Sequence, residues 1–154
     1  MKMNQNKKRV IFYVVILFWL SIIFVLSSQP VSKSNALSKK ITEIVINSAE
    51  RAAPNSNFDF DRTNHLIRKN AHFFSYLILG ILIINLMKKS KMGRFKIFII
   101  SISFCIVYAI SDEFHQIFVS GRGAQIKDVL IDSAGSLMGI AIYEAISKIK
   151  KNKY

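Results

Sequence analysis

A single cysteine, Cys105, stands in the whole chain, so neither an internal disulfide nor a cysteine metal cluster can be built. It lies within an apolar run, where a small packed residue is a plainer role than a reactive thiol. Acids are scarce as well, nine against 22 lysines and arginines, for a formal net charge of +13. In a water-soluble domain that excess would point to nucleic acid. Here the basic residues punctuate hydrophobic runs, and no basic stripe interleaves with aromatic residues, so nucleic acid is not an expected partner. Also missing are the His-Glu-x-x-His, Gly-x-Ser-x-Gly and glycine-rich phosphate-loop patterns, any internal repeat and any low-complexity tract. The 154 residues leave room for one domain.

What the chain does have is apolar length. Hydrophobic residues make up 51% of it, gathered into the runs 10–26, 71–87, 95–110 and 129–146. Seventeen helical residues span about 26 Å, close to the hydrocarbon thickness of a bilayer. The first run follows Lys7, Lys8 and Arg9, as a signal peptide would, but it is long for one, and Leu26-Ser27-Ser28-Gln29-Pro30 offers no small-residue cleavage site. An uncleaved helix is therefore expected. The reading is an all-α integral membrane protein with helices over about 10–27, 65–87, 95–119 and 128–147.

Charge sets the orientation. The N-terminus, residues 88–96 and the C-terminal tail together hold thirteen basic residues and only Glu144 as an acid. The remaining segments hold nine basic residues against eight acids. Positive loops stay in the cytoplasm, which predicts cytoplasmic termini in the cell membrane and an external loop between the first two helices. Within that loop Ser34 or Asn35 can cap a helix from about Ala36 to Ala52, with Leu37, Ile41, Ile44 and Val45 near helical spacing. It is expected either to lie on the outer membrane surface or to pack on the other loops. Pro54-Asn55-Ser56-Asn57 is expected to end it.

An ionisable group well inside a bilayer costs about 2.5–3.5 kcal/mol, so each one asks for a partner or a use. Lys69, His72 and Tyr76 share a face of the second helix, with Gly80 one turn deeper. Tyr108, Asp112, His115 and Gln116 share a face near the end of the third, with Glu113 to the side. Ser120-Gly121-Arg122-Gly123 forms a tight reversal, and Lys127, Asp128 and Asp132 open the fourth helix ahead of Gly135 and Gly139. The topology brings these groups to one membrane boundary. The ordinary roles are an interface anchor for Lys69, aromatic-belt positions for Tyr76 and Tyr108, and an Asp112–Arg122 salt bridge. Gly135 and Gly139 suit close helix packing, within the chain or between copies in a homo-oligomer. Two histidines, four carboxylates and an arginine at one depth nevertheless exceed what packing requires. Arg122 offers a planar fork for phosphate oxygens, and a histidine beside a carboxylate is a general acid or base. Asp112, Glu113, Asp128 and His115 also form a conceivable divalent-cation set, but no metal motif accompanies them, and neither metal nor cofactor is expected.

These residues carry a resemblance. Ser27-Ser28-Gln29-Pro30 follows the first helix, and Arg68-Lys69-x-x-His72-Phe73-x-x-Tyr76-x-x-x-Gly80 opens the second. Asp112-Glu113-x-His115-Gln116-x-Phe118-x-x-Gly121-Arg122 then leads on to Asp128, Asp132, Gly135 and Gly139. In this pattern the chain resembles the VanZ-like family of small bacterial membrane proteins over nearly its whole length. Ser120 stands where the family commonly has proline, and Asp132 where asparagine is also common. The resemblance implies a link to glycopeptide (teicoplanin) tolerance in the envelope, an outcome rather than a reaction. The expected partner is a membrane lipid or lipid-linked cell-wall precursor bearing phosphate, contacted by Lys69, Tyr76, Gln116, Arg122 and Asp132. An enzymatic version, a headgroup transferase or hydrolase, uses His72 or His115 with Asp112, Glu113 and Asp128. The alternative is a non-catalytic protein that masks the antibiotic's target. A transporter is a third class, disfavoured because four helices are few and the acids lie away from midplane.

Overall fold

The computed structural model describes residues 5–52 and 58–152. Within them the chain is all-helical, in the order α1 (Gln5–Ser27), α2 (Val31–Ala52), α3 (Phe60–Met87), α4 (Arg94–Gln116) and α5 (Ile126–Asn152). Four of these contain stretches long and apolar enough to cross a membrane: Arg9–Ser27, Phe60–Met87, Arg94–Gln116 and Ile126–Lys150. This is a multi-pass membrane architecture. Large apolar side chains such as Val14, Phe18, Phe95, Val107 and Phe114 point outward from the bundle, where lipid rather than water would meet them.

The observed helix ends differ from the sequence reading for local reasons. Asp59 caps α3 by accepting from the backbone N–H groups of Asp61 (2.9 Å) and Arg62 (3.3 Å), which starts this helix at Phe60 instead of 65. α4 ends at Gln116. The stretch to Val119 instead continues in tighter turns, with Ile117, Phe118 and Val119 each donating to the carbonyl three residues back. α2 begins five residues ahead of the expected Ala36, directly after Pro30. The Pro54-Asn55-Ser56-Asn57 stop lies outside the described residues.

α3 is the centre, in contact with each of the other four helices and most extensively with α5. Glycine sets that seam. A Cβ at Gly139 would sit 2.0 Å from the Leu77 carbonyl oxygen, and one at Gly135 would sit 2.3 Å from that of Phe73. Both glycines are thus buried under α3 of the same chain, backbone against backbone. Beside the seam, Ile16, Ile23, Tyr76, Leu79, Ile83, Cys105 and Ala109 form one buried cluster, so Cys105 is the packed residue expected of it. Trp19 Nε1 donates to the Ser75 carbonyl (2.9 Å) and the Tyr108 hydroxyl to that of Leu20 (2.8 Å), stitching α1 to α3 and α4.

α2 turns a polar stripe inward. Ser38 and Thr42 are buried and donate to Asn64 Oδ1 on α3, the latter at 3.0 Å. Its apolar residues Leu37, Ile41, Ile44 and Val45 face out, the arrangement a helix lying against lipid requires.

Candidate functional site

The end of the bundle formed by the C-termini of α1 and α4 and the N-termini of α3 and α5 collects His72, Asp112, Glu113, Arg122, Asp128 and Asp132. The α4–α5 turn shapes it. Gly121 adopts φ +76°, a conformation that favours glycine. Arg122 donates its backbone N–H to the Val119 carbonyl (3.0 Å), and its side chain lines the cavities at this end.

Two cavities meet there. One, of about 240 Å³, is polar and is lined by Lys69 and His72 from α3, Glu113 and Gln116 from α4, and Asp128 and Asp132 from α5, with Arg68 and Arg122. The other, of about 250 Å³, is chiefly apolar, with Ile23 and Leu26 of α1, Leu37 and Ile41 of α2, and Ile67 of α3 on its walls. Arg68, His72 and Arg122 line both.

Most of the carboxylates are held. Lys69 Nζ lies 2.6 Å from Asp128 Oδ1. Both oxygens of Glu113 accept, one from Gln116 Nε2 (3.0 Å) and the other from the Gln125 backbone N–H (2.9 Å). Asp112 is 3% exposed and accepts from Ser27 Oγ at 2.6 Å, not from Arg122. The salt bridge expected between Asp112 and Arg122 is thus replaced by a hydroxyl from α1. The arginines are left without acids. Among the described residues neither Arg68 nor Arg122 forms an ion pair; Arg122 Nη1 donates to neutral Gln116 Oε1 at 3.4 Å, and Arg68 Nε is buried without a partner. Burial, and then the neighbouring Arg68, push the Arg122 guanidinium below its ordinary value, while Asp112, Glu113 and Asp128 act the other way. An arginine stays cationic through such a shift. Two like charges thus face one cavity, which Glu113, Asp128 and Asp132 also line.

Not every anticipated residue joins this centre. Lys69, His72, Glu113, Gln116, Arg122, Asp128 and Asp132 converge on the polar cavity, and Asp112 lies just beneath. Tyr76 is wholly buried in the apolar cluster under the site, its hydroxyl without a hydrogen-bond partner among the described residues. His115 leans toward α1, where its Nε2 is 3.1 Å from Ser28 Oγ and its ring centroid is 4.5 Å from that of Phe24. It lines neither cavity. Ser27, Ser28 and Arg68 were missed as site residues, although Arg68 stands four positions before His72 and so on its face. The carboxylate–histidine grouping that forms is His72, Asp112 and Asp132, with donor atoms within 4.8 Å of one another, not the set of Asp112, Glu113, Asp128 and His115.

The profile of the VanZ/LLP1 family matches residues 10–147, from α1 almost to the end of α5. The chain belongs to this family. Neither a curated protein nor a solved structure matches it. In this VanZ/LLP1 chain the matched region takes in every residue of the two cavities, so the family relationship extends to the site as well as to the helices around it.

The opposite end of the bundle is of another kind. There Glu144 pairs with Lys88 (2.7 Å) and Arg94 (2.9 Å), and Lys88 Nζ also lies 4.9 Å from the Tyr143 ring centroid. These contacts tie α3, α4 and α5 together beneath a cationic surface and form neither of the two cavities.

Proposed function

We propose that this VanZ-like protein sits in the bacterial cell membrane and binds a phosphate-bearing lipid or lipid-linked cell-wall precursor at the outer boundary, and that it thereby contributes to glycopeptide (teicoplanin) tolerance. One observation carries this reading: two arginines without acid partners stand on the shared wall of a polar and an apolar cavity. An amphiphile with an anionic head needs that combination. Its phosphate would lie between Arg68 and Arg122, whose guanidinium forks match phosphate oxygens. The rest of its polar head would enter the cavity of Lys69, Gln116 and Asp128. Its hydrocarbon would follow Leu37, Ile41 and Ile67 toward the lipid. The charge distribution supports an outward-facing site, because the strongly basic segments all lie at the other end.

In the enzymatic version of this reading His72 is the general base, since it faces the polar cavity and His115 does not. A purely masking protein would need the arginines and not the imidazole.

The direct test is lipid retention by the purified full chain, measured by native mass spectrometry against dioleoyl phosphatidic acid and an uncharged diacylglycerol. Preferential retention of the phosphate lipid is expected. Arg68→Ala and Arg122→Ala should each weaken it about tenfold or more, because a hydrogen bond to a charged group is worth roughly 1.5–3 kcal/mol. Equal retention of the two lipids would remove the proposal.

A further inference from the structure

Beneath the two arginines lies a second arrangement. His72 from α3, Asp112 from α4 and Asp132 from α5 bring one donor atom each to within 4.8 Å of the others. Three helices far apart in the chain thus converge on one point. Both carboxylates are deeply buried, Asp112 at 3% exposure and Asp132 at 1%.

Their hydrogen bonding is incomplete in a particular way. Ser27 occupies Oδ2 of Asp112 and leaves Oδ1 without a partner. Asp132 has no hydrogen bond on either oxygen among the described residues, and the nearby His72 Nδ1 is 3.8 Å from Oδ2, beyond hydrogen-bonding reach. A buried carboxylate without donors is costly anywhere, and most of all inside a membrane. A structural salt bridge would have closed that gap. Here the open oxygens and the imidazole surround a common space.

We propose that His72, Asp112 and Asp132 form a binding site for one divalent transition-metal ion of the Zn2+ or Mn2+ kind. One imidazole and two carboxylates form a mixed set that such ions accept, whereas Mg2+ and Ca2+ favour oxygen alone. Donor atoms this far apart lie at most about 2.8 Å from a shared centre, so bonds of roughly 2.0–2.2 Å need side-chain movements of only about 0.7 Å. The Ser27 hydroxyl orients Asp112 from behind, as hydrogen bonds to ligating carboxylates do. With the ion bound, His72 is a ligand rather than the free base of the enzymatic version, and because it also lines both cavities the ion lies within reach of whatever occupies them. Its use as a phosphate-binding charge rests on the lipid reading above; its presence does not.

The test uses the full chain in a maltoside detergent, with affinity tags removed and metal stripped by chelator, titrated with Zn2+ or Mn2+ alone. One ion per chain is expected by calorimetry and by elemental analysis, together with a rise in thermal midpoint in the wild-type protein. Asp132→Asn and Asp112→Asn should each weaken binding at least tenfold, and Glu43→Gln on the exposed face of α2 should leave it unchanged. No saturable ion in the wild-type chain, or an undiminished affinity in the Asp112→Asn/Asp132→Asn double variant, would overturn the proposal. Phosphatidic acid retention measured on the same stripped samples separates the two readings. Lipid preference in a chain that takes up no saturable ion would retire the metal and leave the lipid site standing, and an ion bound without lipid preference would do the reverse.

Discussion

His72 and His115 show how much a side chain's meaning depends on where its helix points it. Only His115 stands beside carboxylates in the sequence, but it is His72 that reaches the cavities, while His115 packs on Phe24 and shares a hydrogen bond with Ser28. Glutamine can replace an imidazole as a hydrogen-bond partner but cannot act as a base at neutral pH. On the enzymatic version of the proposed function, His115→Gln is expected to leave teicoplanin tolerance of an expressing strain within about twofold of wild type, and His72→Gln to abolish any contribution of the chain. Minimum inhibitory concentrations, read beside the extracted lipid profile, check both. If His72→Gln retained full tolerance, catalysis by this imidazole would be excluded and masking favoured. The residue scale was also the hardest to read in advance. The pairings Ser27–Asp112 and Ser28–His115 join positions 85 and 87 residues apart, and nothing local to either partner announces them. Helical spacing predicts Tyr76 on the face of His72, yet one further turn takes it into the buried apolar cluster.

Among the elements, the α3–α5 seam has the least slack. A methyl group at Gly139 would meet the Leu77 carbonyl oxygen at 2.0 Å, and backbone atoms on both sides leave no flexible tip to move aside. Gly139→Ala should consequently part the helices and cost about 1–3 kcal/mol, the usual penalty of overpacking. The midpoint of reversible unfolding in mixed detergent would report it. Gly93→Ala is the matched comparison, because nothing lies within 4 Å of its added Cβ, and its midpoint should stay close to wild type. A loss of equal size in both would mean that close contact at the α3–α5 seam is not what sets the midpoint. The four long helices could be recognised from composition because lipid demands unbroken apolar length. Their ends could not, since the Asp59 cap and the turns after Gln116 depend on single hydrogen bonds that hydropathy does not register. α2 was anticipated as amphipathic, but the face it buries is the polar one, fixed by Asn64 on α3; only tertiary contact could reveal that.

For the whole molecule the open quantity is its direction in the membrane. Nearly all the uncompensated charge lies on one end, with the candidate site at the other. With Cys105 replaced by alanine, single cysteines at Ser120 and Ser90, both on exposed turns, should label with an impermeant maleimide on opposite sides. Position 120 should react in intact cells and position 90 only after permeabilisation, as the positive-inside rule requires. The reverse pattern would put the arginines in the cytoplasm and remove the proposed outer-boundary site. That the site could be foreseen at all follows from counting charge beside spans. Its division into a wet and an oily compartment could not be, because that depends on where α2 lies.

The tight glycine contact between α3 and α5 has a mechanical corollary. Arg68, Lys69, His72, Asp128 and Asp132 all project from that unyielding pair, so their mutual spacing is locked like the fixed jaw of a vise. α2 is secured opposite them mainly by short polar side chains on Asn64. On the proposed lipid reading, fitting guests of differing girth would be a task for α2, with specificity for the anionic head kept apart from tolerance of the tail.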